Sequence, residues 1–467
     1  MKKILGVKKH MFLKYLAVIL IAVQFSFDSC VYLSSVVDYI KEVSVNYANN
    51  LENGETNPDK FLFRIQAISA AVQVFVSFII GDIAAFLGSI KWVIVGLYFL
   101  SFVGNFLYSC GGAVSLNTLL GGRIICGAAS ASGAIVFSYI TSIAQDRGIV
   151  FKLLSIYRAA AGIFMALAQL IVIFFGYCDF KIKGYRIASY NAPTFASSFI
   201  ILAVCLLLVV VLENPEVKVT NSENSLFSAL KQFFRVERKK LISCLILLWS
   251  MFLSSFIMSE VVYFMPLFLT LRVNWDTKFQ GIAFMVASIL GVTGSYFAPK
   301  LINVGCSCGR AKDGGLEESD TTGSETVEVK KKDSLYSGQV FLSIFALFVS
   351  LLGQAFMIGA SEALKHKSMP PTNSGIFFSA GMSITLLGYN FLASSIPALF
   401  SMYIDPKLKV QLMPSIGAIS GIGKLVAPIV LAALYGTRLG LSIAVGFDMI
   451  LVAVSIPPLI WLRKKRC

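Results

Sequence analysis

The 467 residues predict an all-α polytopic membrane protein of twelve transmembrane helices in two six-helix bundles, with both termini cytosolic. Three observations carry this. Hydrophobic residues make up 57% of the chain and charged residues 14%, too little charge to coat a water-soluble exterior. The charges gather in short stretches between apolar runs of the roughly 20 residues that a spanning helix needs. Six such runs precede, and six follow, a polar stretch from Glu213 to Lys240. These features exclude a soluble enzyme, a disordered chain and a coiled coil.

In order, the first six spans fall at about 12–40, 61–88, 91–111, 115–144, 150–176 and 191–212. The second six fall at 241–271, 278–302, 337–359, 375–403, 410–435 and 440–462. Each reads as helix because a backbone in hydrocarbon must satisfy its own hydrogen bonds, and no alternating ten-residue barrel pattern occurs. The expected organisation is an N-terminal bundle at 1–212, a cytosolic linker at 213–240 and a C-terminal bundle at 241–467. Leu226–Phe234 of the linker is amphipathic and suits the inner membrane surface. The stretch 305–333, rich in Gly, Ser, Thr, Glu and Lys, predicts a disordered loop. Glu237-Arg-Lys-Lys-Leu241-Ile242 fits a dileucine sorting pattern but reads better as the start of span seven.

The net charge of +15 does not imply a nucleic-acid partner, because the basic residues line the span edges. With both termini in the cytosol, 26 Lys and Arg fall on the cytosolic side and 11 on the other, as the positive-inside rule requires. The basic N-terminus precedes an apolar run too long for a cleaved signal, so span one is expected to act as an uncleaved anchor. Two His and scattered Cys assemble no metal site, and no cofactor is expected. Cys110 and Cys178 fall on one side, where a bridge competes with two free thiols. The partners expected are the bilayer and a small solute with protons, handled by a monomer.

Apparent enzyme motifs dissolve in context. Gly417–Lys424 (GAISGIGK) resembles a phosphate loop, but its spacing is one residue too long, Leu425 stands where Ser or Thr is needed, and no strand precedes it. Gly417-x-x-x-Gly421 reads instead as small-residue helix packing, as does Gly127-Ala-Ala-Ser-Ala-Ser-Gly133. No nucleophile, base and orienter can be assembled, so no enzyme is expected.

Chemistry then rests on charges inside the spans, which cost several kcal/mol each unless paired or functional. They are Asp28, Asp82, Arg123, Arg158, Glu260, Lys424 and Asp448. At about 1.5 Å per residue, Asp28 and Glu260 lie roughly 24 and 28 Å from the cytosolic end of spans one and seven. Arg123 lies roughly 12 Å in from the other side, at similar depth. Spans one and seven are counterparts in the two halves, so a carboxylate on each side of a central cavity with a guanidinium nearby is expected. Asp28, Arg123, Glu260, Arg158 and Lys424 are therefore the candidate substrate or proton pathway. A structural Arg123–carboxylate ion pair is the competing reading. Asp82 suits a latch at the cytosolic end of span two, and Asp448 a structural role in a peripheral span twelve.

The 6+6 layout with Arg123-Ile-Ile-Cys-Gly127 in span four resembles the major facilitator superfamily. Val23-Gln-Phe-Ser, Gly104-Asn105-Phe-Leu-Tyr108, Ser138-Tyr139, Asp146-Arg147, Glu260 with Pro266, Leu387-Gly388-Tyr389 and Lys424 with Pro428 are similar to its lysosomal branch tied to a neuronal ceroid lipofuscinosis. The resemblance implies the major facilitator fold and a conformational switch at Gly81, Asp82, Gly88, Asp146 and Arg147. It also marks departures. Ala85, Phe86 and Ser89 replace charged positions of the loop between spans two and three, weakening the charge latch. Ala166-Leu167 stands where antiporters carry Gly-Pro, so symport or uniport is favoured over exchange. Phe137 and Lys424 occupy Arg positions, and Lys lacks the bidentate fork of Arg.

The expected function is secondary active transport of a small anionic solute by alternating access, coupled to protons, in a lysosomal or other endomembrane or the plasma membrane. A passive anion channel or uniporter of an endolysosomal membrane, and a transporter-shaped scaffold, stay open as alternatives.

Overall fold

A computed structural model describes residues 2–31, 35–36, 38–40, 42–43, 58–111, 115–144, 147–182, 185–215, 238–310, 324–404, 409–435 and 440–464. The N-terminal half comprises α1 (Lys2–Cys30), α2 (Pro58–Phe86), α3 (Ile90–Cys110), α4 (Leu116–Ala129), α5 (Ser132–Ile143), α6 (Arg147–Phe175) and α7 (Ala192–Val211). The C-terminal half comprises α8 (Arg238–Leu271), α9 (Thr277–Arg310), α10 (Ser324–Lys365), α11 (Pro371–Ser401), the single turn α12 (Lys409–Leu412), α13 (Pro414–Tyr435) and α14 (Gly440–Lys464). Eleven spans among the described residues are long and apolar enough to cross a membrane. The 29-residue α1, about 43 Å long at helical rise, supplies a twelfth.

Most boundaries fall within a few residues of the apolar runs, because the hydrocarbon dictates helix wherever the chain is buried in it. The start of α8 at Arg238 makes the dileucine-like stretch a helix start. Two polar regions expected as loop are helical: α9 continues to Arg310 and α10 begins at Ser324. The rest of the expected loop, 311–323, like Leu226–Phe234, lies outside the described residues.

Span four is two helices rather than one. The chain breaks at Ser130–Ala131, where Ala131 N–H turns back to Ala128 C=O at 3.2 Å and the Ser130 hydroxyl bonds Cys126 C=O at 2.9 Å. The carbonyl of Ala129, released by the break, accepts from Gln24 Nε2 of α1 at 3.0 Å. A buried carbonyl without such a partner would cost about 1–3 kcal/mol.

An expected all-α chain also carries one small hairpin, β1 (Asp179–Ile182) paired antiparallel with β2 (Tyr185–Ala188), between spans five and six. Arg186 clamps Asp179 with two 2.9 Å bonds and reaches Glu42 at 3.3 Å. Those bonds hold the Asp179 carboxyl below the usual carboxylate range. The pair's contribution is therefore present above the ordinary Asp value of about 3.9 and is lost as pH falls through the depressed one. Asp179→Asn is expected to speed tryptic cleavage after Lys181 and Arg186 in the folded protein, read by mass spectrometry of the fragments. Cys110 and Cys178 are both free thiols.

Within the N-terminal bundle α1 packs on α6, and α3 on α4 and α7; within the C-terminal bundle α8 packs on α11 and α13, and α10 on α11 and α14. Two seams join the bundles, α2 with α13 and α6 with α9. These involve spans two with eleven and five with eight, as two similar halves facing each other require. At Gly417 a Cβ would lie 2.3 Å from Ala134 Cβ, so the α13–α5 contact of that seam needs the bare backbone.

Gly88, expected as part of a switch, closes α2. It sits at φ +60°, Ser89 N–H reaches back to Ala84 C=O and Gly88 N–H to Ala85 C=O, a Schellman turn. Gly88→Ala is expected to cost about 1 kcal/mol of stability, from the left-handed backbone alone. Thermal unfolding in detergent measures it. Ser89 then caps α3 through Trp92 N–H and donates to Asn214 Oδ1 at 3.0 Å.

Candidate functional site

The cavity between the bundles is lined by Phe25 and Asp28 of α1, Gln66, Ser69 and Gln73 of α2, Arg123 of α4, Ser130 at the span-four break, Met258, Ser259 and Val262 of α8, and Lys424 of α13. It encloses about 70 Å³, room for a few waters. Solute pockets run to roughly 300–1,000 Å³, so a solute enters only if the bundles part. Toward the face where α1 begins, the seam is shut. A Cβ on Gly81 would lie 3.2 Å from Val410 C=O and 3.4 Å from Gln411 Cα and Pro414 Cγ, and Ser138 Oγ donates to Val410 C=O at 3.2 Å.

Asp28 and Arg123 come together as the spacing predicts. The enabling contact is the close crossing of α3 and α4, where a Cβ on Gly122 would lie 2.5 Å from Tyr108 N and one on Gly104 2.7 Å from Cys126 Sγ. That approach brings Ser101 and Asn105 of α3 and Arg123 of α4 around one carboxylate. Ser101 Oγ lies 2.7 and 2.8 Å from the two Asp28 oxygens, and Asn105 Nδ2 2.5 Å from Oδ1. Arg123 Nη2 donates to the Asp28 backbone carbonyl at 3.3 Å, and its guanidinium lies 5.6 Å over the Tyr108 ring. Asp28 is 2% exposed and Arg123 4%. The carboxylate is thus held by neutral donors and balanced by a neighbouring cation.

Among the described residues no such anion balances Arg158 or Lys424. Arg158 of α6, 5% exposed, sits among the rings of Phe25, Phe137, Tyr157 and Tyr389, 5.5–5.9 Å from each centroid. Its Nη1 donates to the Tyr389 hydroxyl of α11, in the opposite bundle, at 3.3 Å. Lys424 Nζ lies 5.4 Å from the same Phe25 ring, close enough to Arg158 for the two charges to repel. Among the described residues no carboxylate forms an ion pair with either. Aromatic faces stabilise such cations by about 1–2 kcal/mol, well short of a full counter-charge.

Glu260 departs from the expected arrangement. It does not face Asp28 across the cavity but turns into the C-terminal bundle, where Gln354 of α10 donates to it at 3.4 Å. Asp448, expected as a peripheral structural residue, is fully buried there and accepts from the same Gln354 nitrogen. The reason is angular. Successive helix residues turn by about 100°, so Ser259 lines the cavity while Glu260 points away from it. Ser101, Asn105, Gln354 and Tyr389 were the partners missed. A polar residue amid an apolar run is the signal that marks them.

Of the expected switch residues, Gly81 lies in the shut seam, Asp82 is half-buried and Gly88 serves the turn. Asp146, and the side chain of Arg147, lie outside the described residues. A second hollow of about 720 Å³ among α1, α6 and α7 is lined by apolar side chains alone, such as Phe164, Leu170 and Ile200, and offers nothing to orient a polar solute.

A sequence model described as Major Facilitator Superfamily matches residues 51–306. MFS-type transporter PUL3 of Kluyveromyces lactis is 62% identical over 470 residues, covering 99% of this chain and all of that one. Uncharacterized membrane protein YNR062C of Saccharomyces cerevisiae is 99% identical over 326 residues, 70% of this chain and all of that one. Among solved structures, the human organic anion transporter MFSD10 (TETRAN) superposes with a TM-score of 0.64 at 15% identity, over 96% of this chain and 99% of that one. The Escherichia coli xylose transporter XylE, in a partially occluded inward-open conformation, gives 0.65 at 13% identity over 98% of both. At such identity these two speak for the fold.

Proposed function

The chain belongs to the major facilitator superfamily and is a multi-pass membrane transporter rather than an enzyme, and on that premise we propose that its solute is a small organic anion, moved by alternating access with protons as the driving ion. One observation carries the choice of an anion. Asp28 and Arg123 offset each other, which leaves Arg158 and Lys424 as two cations beside one ring, Phe25, at the bundle interface. A buried cation with no counter-charge among the described residues is costly, and an arriving anion supplies that charge. Arg158 binds across the interface through Tyr389, so an anion that draws on its guanidinium also acts on the contact holding the bundles together.

The bridge to transport is differential affinity: a solute shifts the bundles only by binding one arrangement better than the other. The seam at Gly81, Ser138 and Val410 shuts one side of the cavity, and its opening in exchange for closure opposite is the step the anion promotes. The family of proton-rich compartments to which the sequence resemblance points, lysosomal or other endomembranes, would supply the gradient. The experiment is thermal unfolding of the purified chain against a panel of organic acids, their neutral amides and organic cations. Stabilisation by acids, and not by their amides, is expected; equal stabilisation by acid and amide would remove the assignment of Arg158 and Lys424.

A further inference from the structure

Inside the C-terminal bundle lies a polar cluster that neither the cavity nor the seam uses. Glu260 of α8, Gln354 of α10 and Asp448 of α14 are each 0% exposed. The Gln354 Nε2 donates to Glu260 Oε2 at 3.4 Å and to Asp448 Oδ2, so one amide nitrogen bridges two carboxyls. Three further oxygens of the cluster, Glu260 Oε1, Asp448 Oδ1 and Gln354 Oε1, are buried and have no hydrogen-bond partner among the described residues. All three are acceptors, and the amide has spent its donors. What the cluster lacks is a hydrogen.

Charge leads to the same place. Two carboxylates bridged by one nitrogen repel strongly in a low-dielectric interior, and each has also lost its water. The groups that act on Glu260 are Asp448 and Gln354. The charges on the surrounding helices are engaged elsewhere. Lys424 of α13 lines the cavity, Glu362 of α10 bonds Ser442 of α14 and pairs with Lys365 and His366, and Arg463 of α14 lies over Phe341. No cation among the described residues pairs with Glu260 or Asp448.

We propose that Glu260, Gln354 and Asp448 form a site for a single exchangeable proton, held between the two carboxyls, and that the proton driving transport binds here rather than at Asp28. The second clause rests on the proton-driven reading given above. The link to the solute is short. Met258 and Ser259, the preceding residues of α8, line the cavity, and α8 is tied to the seam helix α13 by the Ser255–Ser420 bond at 2.6 Å. A movement of α13 that opens the seam therefore pulls on the helix carrying Glu260 and changes how deeply the pair is buried.

The site is tested on the purified full chain by infrared spectroscopy of protonated carboxyl groups across pH, with no solute needed. A protonated carboxyl band is expected at neutral pH in the native chain, and its loss in the Glu260→Gln, Asp448→Asn double variant. Asp28→Asn should keep it. Those isosteric changes remove repulsion, so the double variant should fold, and its unfolding temperature should fall less than that of the native chain as pH rises above the ordinary carboxylate range. A band that survives the double substitution, or a native chain without one, overturns the site. Coupling is tested in proteoliposomes with the organic acid that best stabilises the chain. The double variant should keep solute counterflow and lose pH-gradient-driven accumulation by at least about tenfold. Gradient-driven accumulation that persists overturns the coupling. Absent counterflow in the native chain would instead overturn the transport reading and leave the infrared result to decide the site alone.

Discussion

Gly417→Val is expected to abolish transport while leaving the protein folded in the membrane. A Cβ at this position would lie 2.3 Å from Ala134 Cβ and 2.6 Å from Ala134 Cα, and the added methyls have nowhere to go. Overpacking of this kind costs about 1–3 kcal/mol where it is trapped. Here the contact joins α13 to α5 across the bundle seam, so the strain is relieved by parting the bundles rather than by unfolding either. A shift of that size changes a two-state population by roughly five- to a hundred-and-fiftyfold, which holds the seam open and halts the cycle. Cysteine accessibility at Ser138 or Gly81, read with a membrane-impermeant reagent on the face where α1 begins, should rise as transport falls. Gly121→Ala is the control. Its Cβ meets nothing within 4 Å, and both measurements should stay as in the native chain.

Arg158→Gln and Lys424→Gln should each weaken anion binding by roughly thirtyfold or more, the loss typical of removing one charged partner from a buried contact. Their signatures differ. Lys424 lines the cavity with its Nζ 5.4 Å from the Phe25 ring, so its loss should raise the KM for the anion and leave the cycle otherwise intact. Arg158 also binds Tyr389 across the interface, so its loss should lower kcat as well. Lys424→Arg should keep the affinity of the native chain or raise it, because the fork of Arg suits a carboxylate better than a point charge does. If both glutamine variants bind the anion as tightly as the native chain does, the two cations have a structural role alone.

The twelve spans were legible because lipid allows one solution for an apolar run of that length. The break in span four was not, because Ala128-Ala129-Ser130-Ala131 is as compatible with a continuous helix as with an interrupted one. What interrupts it is tertiary: Gln24 of another span accepts responsibility for the Ala129 carbonyl. The candidate charges were legible as charges, since each stands alone in an apolar run, but their pairings depended on helix rotation. Asp28 and Arg123 met because α3 and α4 cross closely at Gly104 and Gly122. Glu260 was expected to face the cavity and instead points into its own bundle. Asp448 became its neighbour because α14 packs on α10 rather than standing apart. Phe137, read as the loss of an arginine, proves to be one of four rings around Arg158.

Solute counterflow in proteoliposomes tests the central claim most directly. With an unlabelled organic acid inside and a trace of the labelled acid outside, the native chain is expected to raise label inside transiently above its outside concentration, driven by the outward gradient of unlabelled acid, while the neutral amide does nothing. Lys424→Gln should remove most of that transient. Flux that is not stimulated from the opposite side, or currents of channel size across the same bilayer, would contradict a carrier whose bundles must part for each anion that crosses.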